Sequence, residues 1–300
     1  MNRVFRLSLA ALAVSLSFGF TKPARAATWR AECLSMRSAV LKRSVGYCTL
    51  LPPSYDTSPS RRYPVVYFLH GLGGNQQMLL QAGGLNLAED LSERSRIGEF
   101  LIVTPQAGRS FYINSRDGKD RYEDFLLREF FPAIEKRYRI DRVRSHRGIA
   151  GISMGGYGAL HLAFRHPELF SAVSVSSAAL FEKLPEVRLG NDRGEVLPIL
   201  GGVFGTPPDN AFWQRESPLT LARRFHPAGM KIYFDCGTQD NYGFDQGARA
   251  LDKILTSRRI PHEFHLYPGA HNWLYFAQHL PALLEFQSSA FGLTGKPQSK

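Results

Sequence analysis

Gly151-Ile152-Ser153-Met154-Gly155-Gly156-Tyr157-Gly158-Ala159-Leu160 sets a serine between two glycines in the pattern G-x-S-x-G. Arg147 to Ile152 reads as a short buried strand, and Tyr157 to His166 as a helix. A serine at so sharp a strand-to-helix turn is held in a strained backbone conformation with its hydroxyl exposed. The flanking positions must be small for strand and helix to approach each other. The helix N-terminus behind the serine favours negative charge developing nearby. G-x-S-x-G alone also arises in glycine-rich turns. The strand before it and the helix after it are the context that marks Ser153 as a nucleophile.

A serine hydroxyl is a poor nucleophile at neutral pH and needs a histidine base, which in turn needs an orienting carboxylate. In α/β-hydrolases, which carry this turn, the chain order is serine, acid, histidine. Downstream lie Asp235-Cys236-Gly237-Thr238-Gln239-Asp240 and then Pro268-Gly269-Ala270-His271-Asn272-Trp273. His271 directly follows the last expected strand and a Pro-Gly turn, where a base can lean over the strand ends. His146, His161 and His166 come before the acid, His262 and His265 sit within a strand, and His279 is on the closing helix. Asp240, in a loop beyond a strand end, is the expected acid. Asp235 is still in the strand and reads as a structural partner, and Asp245 begins a helix. The oxyanion of the tetrahedral intermediate needs donors aimed at it. One is the backbone N–H of Met154. The second is expected from His70-Gly71-Leu72-Gly73-Gly74, with Leu72 the preferred amide and Gly71 the neighbouring option. His70 is expected to hold that loop.

The rest of the chain alternates short apolar runs with helical patterns, which points to a mostly parallel sheet covered on both faces. Residues 30–39 and 45–51 read as an opening hairpin, with its turn near Lys42-Arg43. Strands follow at Tyr63 to Leu69 and Phe100 to Thr104, and later at Ala172 to Ser176, Met230 to Cys236 and His262 to Tyr267. Helices are expected at Leu85 to Ile97, at 119–138 with a break or kink at Pro132, at Gly247 to Ser257, and after His271. Ala178 to Pro227 is rich in Gly and Pro and shows no clean periodicity before Pro218 to Arg224. It reads as an irregular, lid-like insertion over the active site. Phe111 and Tyr112 in the loop to Asn114, and Trp213 within the insertion, are the candidate substrate-binding residues.

Three hundred residues with 44% hydrophobic content suit one globular domain. The first 26 read as a cleaved secretory signal in preference to an uncleaved anchor. Arg3 and Arg6 precede an apolar run from Leu7 to Phe20, too short for a comfortable span, and Ala24-Arg25-Ala26 supplies the cleavage pattern. The catalytic domain is then 27–300, exported to a periplasmic or secreted location. Removing Arg3, Arg6, Lys22 and Arg25 lowers the net charge from +11 to +7, with no basic aromatic stripe of a nucleic-acid binder. No C-x-x-C or H-E-x-x-H cluster is present, so neither metal nor cofactor is expected. Cys33 and Cys48 are the only cysteines close in sequence and export permits a bridge, but a tight turn at Lys42-Arg43 does not set them opposite each other, so the sequence leaves open whether they are bridged. Cys236 reads as a buried small hydrophobe.

G-I-S-M-G-G-Y-G-A-L, H-G-L-G-G, D-C-G-T-Q-D and G-A-H-N-W together resemble a family of esterases. Asp117 to Asp124 and His166 to Phe170 are similar to further stretches of it. That family includes esterase D (S-formylglutathione hydrolase), feruloyl and tributyrin esterases and secreted mycolyltransferases. The likeness runs from about Tyr47 to Phe286. It implies an α/β-hydrolase fold, with Ser153, Asp240 and His271 on the triad positions and Leu72 and Met154 on the oxyanion-donor positions. Members commonly carry a tryptophan where this chain has Met78. The expected activity is that of an exported serine esterase acting on a small-molecule or carbohydrate-linked ester. Acyl transfer to a carbohydrate or lipid alcohol is the alternative, and a non-catalytic envelope-binding protein a third reading.

Overall fold

The computed structural model describes residues 28–184 and 196–293. The expected leader at 1–26 lies outside the described residues, as does 185–195 within the insertion. Among the described residues eight strands form one sheet: β1 Arg30–Arg37, β2 Ser44–Leu51, β3 Val65–Leu69, β4 Leu101–Pro105, β5 Arg147–Ile152, β6 Ala172–Ser176, β7 Lys231–Gly237 and β8 Glu263–Tyr267. Their spatial order is β1-β2-β4-β3-β5-β6-β7-β8. The β1–β2 and β2–β4 pairs are antiparallel, and all later pairs are parallel. This is the α/β-hydrolase fold.

The parallel strands are near-continuous apolar runs because both faces of the sheet are covered. Along β3, Val65, Tyr67 and Leu69 enter one core cluster, and Val66 and Phe68 enter the other. The first core receives helices Met154–Arg165 and Phe244–Ser257, and the second receives Gly84–Glu93 and Trp273–Ala290. Parallel strands share a C-terminal edge, so every loop leaving β3, β5, β7 and β8 in the forward direction emerges on one side of the molecule. That edge is where ligands gather in open α/β sheets.

Pro132 does not break its helix. The chain runs helically through Tyr122–Phe125, a π-turn at Leu126–Phe130, and Phe131–Arg137 with the proline in its first turn. Widening the preceding turn accommodates a residue that lacks an N–H and crowds the carbonyl four residues back.

Two expectations need correction. Cys33 stands directly opposite Cys48 in the hairpin register, and the two are disulfide-bonded. The connection is the longer loop between Arg37 and Ser44, closed by Ser38 N–H to the Arg43 carbonyl, and this moves the hairpin centre back from Lys42-Arg43. The stretch 178–227 is also less irregular than its composition suggests. It contains helices Val196–Phe204, Asn210–Glu216 and Pro218–Ala222. Pro198 and the Gly201-Gly202 pair had obscured the first, and Asp209 caps the second by accepting from Phe212 N–H at 3.0 Å.

Candidate active site

Ser153 follows β5 immediately and adopts φ 54°, ψ −119°, a backbone conformation costly for any residue with a Cβ. Its surroundings enforce it. Ser153 N–H donates to the Ser176 carbonyl at 3.1 Å, and its own carbonyl accepts from Tyr157 and Ala179 at 3.0 Å each. A Cβ on Gly155 would lie 2.0 Å from the Leu69 carbonyl oxygen, so only glycine lets the helix start this close to β3. The Tyr157 bond is the first of the helical ladder, which leaves the Met154 amide ahead of it at the helix N-terminus.

The structure brings Ser153, His271 and Asp240 into one hydrogen-bonded chain. Ser153 Oγ lies 2.9 Å from His271 Nε2, and His271 Nδ1 lies 2.8 Å from Asp240 Oδ2. A carboxylate only accepts, so Nδ1–H donates to Asp240, and Nε2 presents its lone pair to the serine hydroxyl. Asp240 sits in the turn after β7 with its side chain fully buried. Its Oδ1 accepts from Tyr242 N–H at 3.0 Å, and Cys236 Sγ approaches Oδ2 at 3.7 Å. The imidazole is boxed edge-on by Tyr242, Phe244 and Phe276, with ring centroids 5.0–5.1 Å away. Those rings pack against the imidazole and limit its rotation. The sequence reading missed all three, although Tyr242 and Phe244 follow Asp240 by two and four positions.

The loop after β3 runs beside the serine: a Cβ on Gly71 would touch Ser153 Cβ at 3.4 Å. His70 pins this loop from below. Its Nε2 accepts from Ala107 N–H at 3.0 Å and its Nδ1–H donates to the Gly71 carbonyl at 2.8 Å. Burial pushes its pKa down, which favours the neutral ring that this pairing requires. Leu72 and Met154 both line the cleft above Ser153.

That cleft has a volume of about 1290 Å³. Phe111 lines it, as do Leu180 and Phe181 from the start of the insertion and Trp273 beyond the base. Tyr112 and Trp213 do not. Tyr112 is fully buried, its hydroxyl donating to the His70 carbonyl at 3.1 Å and its ring filling the space over Gly158. Trp213 is buried in the first core with Phe204 and Phe212. Phe204 backs Phe111 at 5.8 Å, so these insertion aromatics lie behind the cleft wall.

Two buried polar groups flank the site. Asp235, at the end of β7, accepts from Ser176 Oγ at 2.7 Å and Tyr275 Oη at 2.8 Å, and burial raises its pKa to about 6. On the other face, Glu123 accepts from His161 and His166, and Arg165 pairs with both Glu123 and Glu216. The atoms of Glu123, His161 and Glu216 converge closely enough to hold a cation. Arg165 already supplies a positive charge to both carboxylates, so the cluster reads as an ion-pair network tying the helix after Ser153 to Asn210–Glu216.

A family model described as "Putative esterase" matches residues 38–286. The chain belongs to that esterase family. Esterase Rv1288 of Mycobacterium tuberculosis is 31% identical over 245 residues, which cover 75% of this chain and 52% of the relative. The chain thus spans about half the length of that curated relative. An acetyl esterase of Caldicellulosiruptor saccharolyticus is 25% identical over 271 residues, covering 85% of this chain and 97% of the relative. Among solved structures, a ferulic acid esterase superimposes with a TM-score of 0.74 at 27% identity, covering 88% of this chain and 99% of the other.

Proposed function

We propose that this chain is an exported serine esterase that hydrolyses carboxylic esters through an acyl-enzyme. The observation that carries the reading is the Ser153–His271–Asp240 hydrogen-bonded chain, whose Ser153 and His271 line a cleft large enough for an ester. His271 Nε2 takes the Ser153 proton as Oγ attacks the ester carbonyl. The carbonyl oxygen becomes an oxyanion facing the Leu72 and Met154 amides. Collapse breaks the C–O bond, and the leaving alcohol takes the proton from His271. Water then gives its proton to His271 and attacks the acyl-serine; the acyl–Oγ bond breaks, Ser153 Oγ takes the proton back from His271, and the acid leaves. Asp240 holds the imidazole in the one tautomer that can do this. Phe111 belongs to the wall that contacts the substrate.

The relatives named as esterases support the reaction class. The leader-like segment and the Cys33–Cys48 bridge support export, since such bridges persist in oxidising compartments. No helix of the described residues is long and apolar enough to cross a membrane. The test is hydrolysis of p-nitrophenyl acetate by the protein lacking residues 1–26, beside Ser153→Ala with both shown folded. Turnover in the first and loss in the second is expected, and equal turnover in both would sink the mechanism.

A further inference from the structure

One wall of the cleft is apolar and adjoins a second, smaller cavity. Met78, Ile152, Trp273 and Phe276 line the cleft, and the same four residues line a small pit closed off by Phe68, Leu79 and Leu280. The pit holds about 10 Å³, room for no more than one water, and its walls are carbon and sulfur almost throughout. Such a space stays dry and is satisfied only by more apolar matter.

Of the four shared residues, three are stiff: two are aromatic and Ile152 is β-branched. Met78 alone is unbranched, with three rotatable bonds and a soft thioether. It is half-buried at the head of helix Met78–Gln81, and its Sδ would lie 2.3 Å from a Cβ on Gly74. Its side chain therefore packs on the loop that carries Leu72 while separating cleft from pit.

We infer that Met78 is a specificity-determining residue whose side chain swings aside to admit an unbranched alkyl tail of the ester into the pit. The inference rests on the esterase reading of Ser153. Ile152 precedes Ser153, and Trp273 lies two residues beyond His271, so the pit opens beside the reacting carbonyl. A tail of a few carbons reaches it from either the acyl or the alcohol side.

The experiment measures kcat/KM for two series, p-nitrophenyl esters from acetate to octanoate and alkyl acetates from ethyl to octyl. Both are run on the wild type, Met78→Ala and Met78→Phe. Removing Cγ, Sδ and Cε joins cleft and pit, and each methylene then buried is worth about fourfold. In Met78→Ala the ratio of six-carbon to two-carbon substrate is expected to rise about tenfold or more in one series. The series that moves identifies the acyl or the alcohol tail. Met78→Phe lowers the same ratio. Because the readout is a ratio, a general loss from loosening the Gly74 contact cancels. Unchanged ratios in both series overturn the inference. Absence of Ser153-dependent acetate turnover in the wild type overturns the esterase reading and this inference with it.

Discussion

Asp235→Asn is expected to stabilise the protein at pH 8 while changing little near pH 4. Asp235 is only 1% exposed, and its Oδ1 accepts two hydroxyl bonds. Among the described residues no hydrogen is donated to its Oδ2, and the neighbouring Tyr233 hydroxyl is also without a partner. Burial with this incomplete set of donors raises the carboxyl from 3.8 to about 6. A carboxyl whose folded pKa exceeds its unfolded one binds its proton more tightly in the folded state. Its contribution is therefore full below about pH 4 and lost as the pH climbs to about 6, with a constant cost above that. Two units at 1.36 kcal/mol each give about 3 kcal/mol. Asparagine is neutral throughout. Its oxygen accepts the same two hydroxyls, and its amide N–H points toward Tyr233. Urea unfolding of the wild type and the variant at pH 4.5 and pH 8 is the assay, and the pH dependence of every other group cancels in the difference. The variant's advantage should grow by about 2 kcal/mol between the two pH values, since about 1 of the 3 kcal/mol is already lost at pH 4.5. A difference that stays constant with pH would refute the argument.

Asp240→Asn should fold normally yet lose about 10⁴ in kcat on p-nitrophenyl acetate, because an amide N–H facing Nδ1 favours the wrong imidazole tautomer. A loss below tenfold would place the orienting acid elsewhere. The pair Cys33→Ser, Cys48→Ser opens a crosslink spanning 15 residues. By loop entropy this costs about 3 kcal/mol, a fall of roughly 6–12 °C in Tm by calorimetry, with kcat unchanged because the hairpin lies at the far edge of the sheet. Phe111→Leu should redistribute kcat/KM among acyl groups. Tyr112→Phe should leave that profile alone and cost only about 1 kcal/mol, the hydrogen bond to the His70 carbonyl, in chemical denaturation.

Much of the molecule was legible because its elements announce themselves locally. β3 and β5 read as strands from buried apolar runs, and the turn at Ser153 reads from glycines that the packing at Leu69 requires. That Ser153, Asp240 and His271 come together in one hydrogen-bonded chain could be anticipated from chain order and from their places at strand ends. What failed to read depends on partners distant in sequence. The Cys33–Cys48 register hinges on a six-residue connection whose length no local pattern fixes. Tyr112 and Trp213 are large amphipathic aromatics that suit a binding wall as well as a core, and only the burial around Gly158 and Phe204 decides between the two. Helix Val196–Phe204 hid its period behind a proline and two glycines, and it is held by tertiary packing over weak intrinsic propensity. The boxing of His271 by three rings is likewise a product of the fold, since Phe276 comes from a helix packed on the opposite face from Phe244.

The stapled hairpin bears on how safely this chain can exist in solution. β1 is the terminal strand and is largely solvated, whereas β2 beneath it is buried along Tyr47–Leu51. Were β1 to peel away, β2 would present an unpaired apolar edge, the kind of template on which a second chain adds a strand. The Cys33–Cys48 bond ties the guard strand to the strand it covers, near the middle of their pairing. In a reducing compartment that guard is held by non-covalent contacts alone: the ladder, the Arg30–Asp56 ion pair and the packing of Met36. The chain's tendency to self-associate should therefore follow the redox state of its surroundings, while the Ser153–His271–Asp240 hydrogen-bonded chain, carried by the loops after β5, β7 and β8, stays intact.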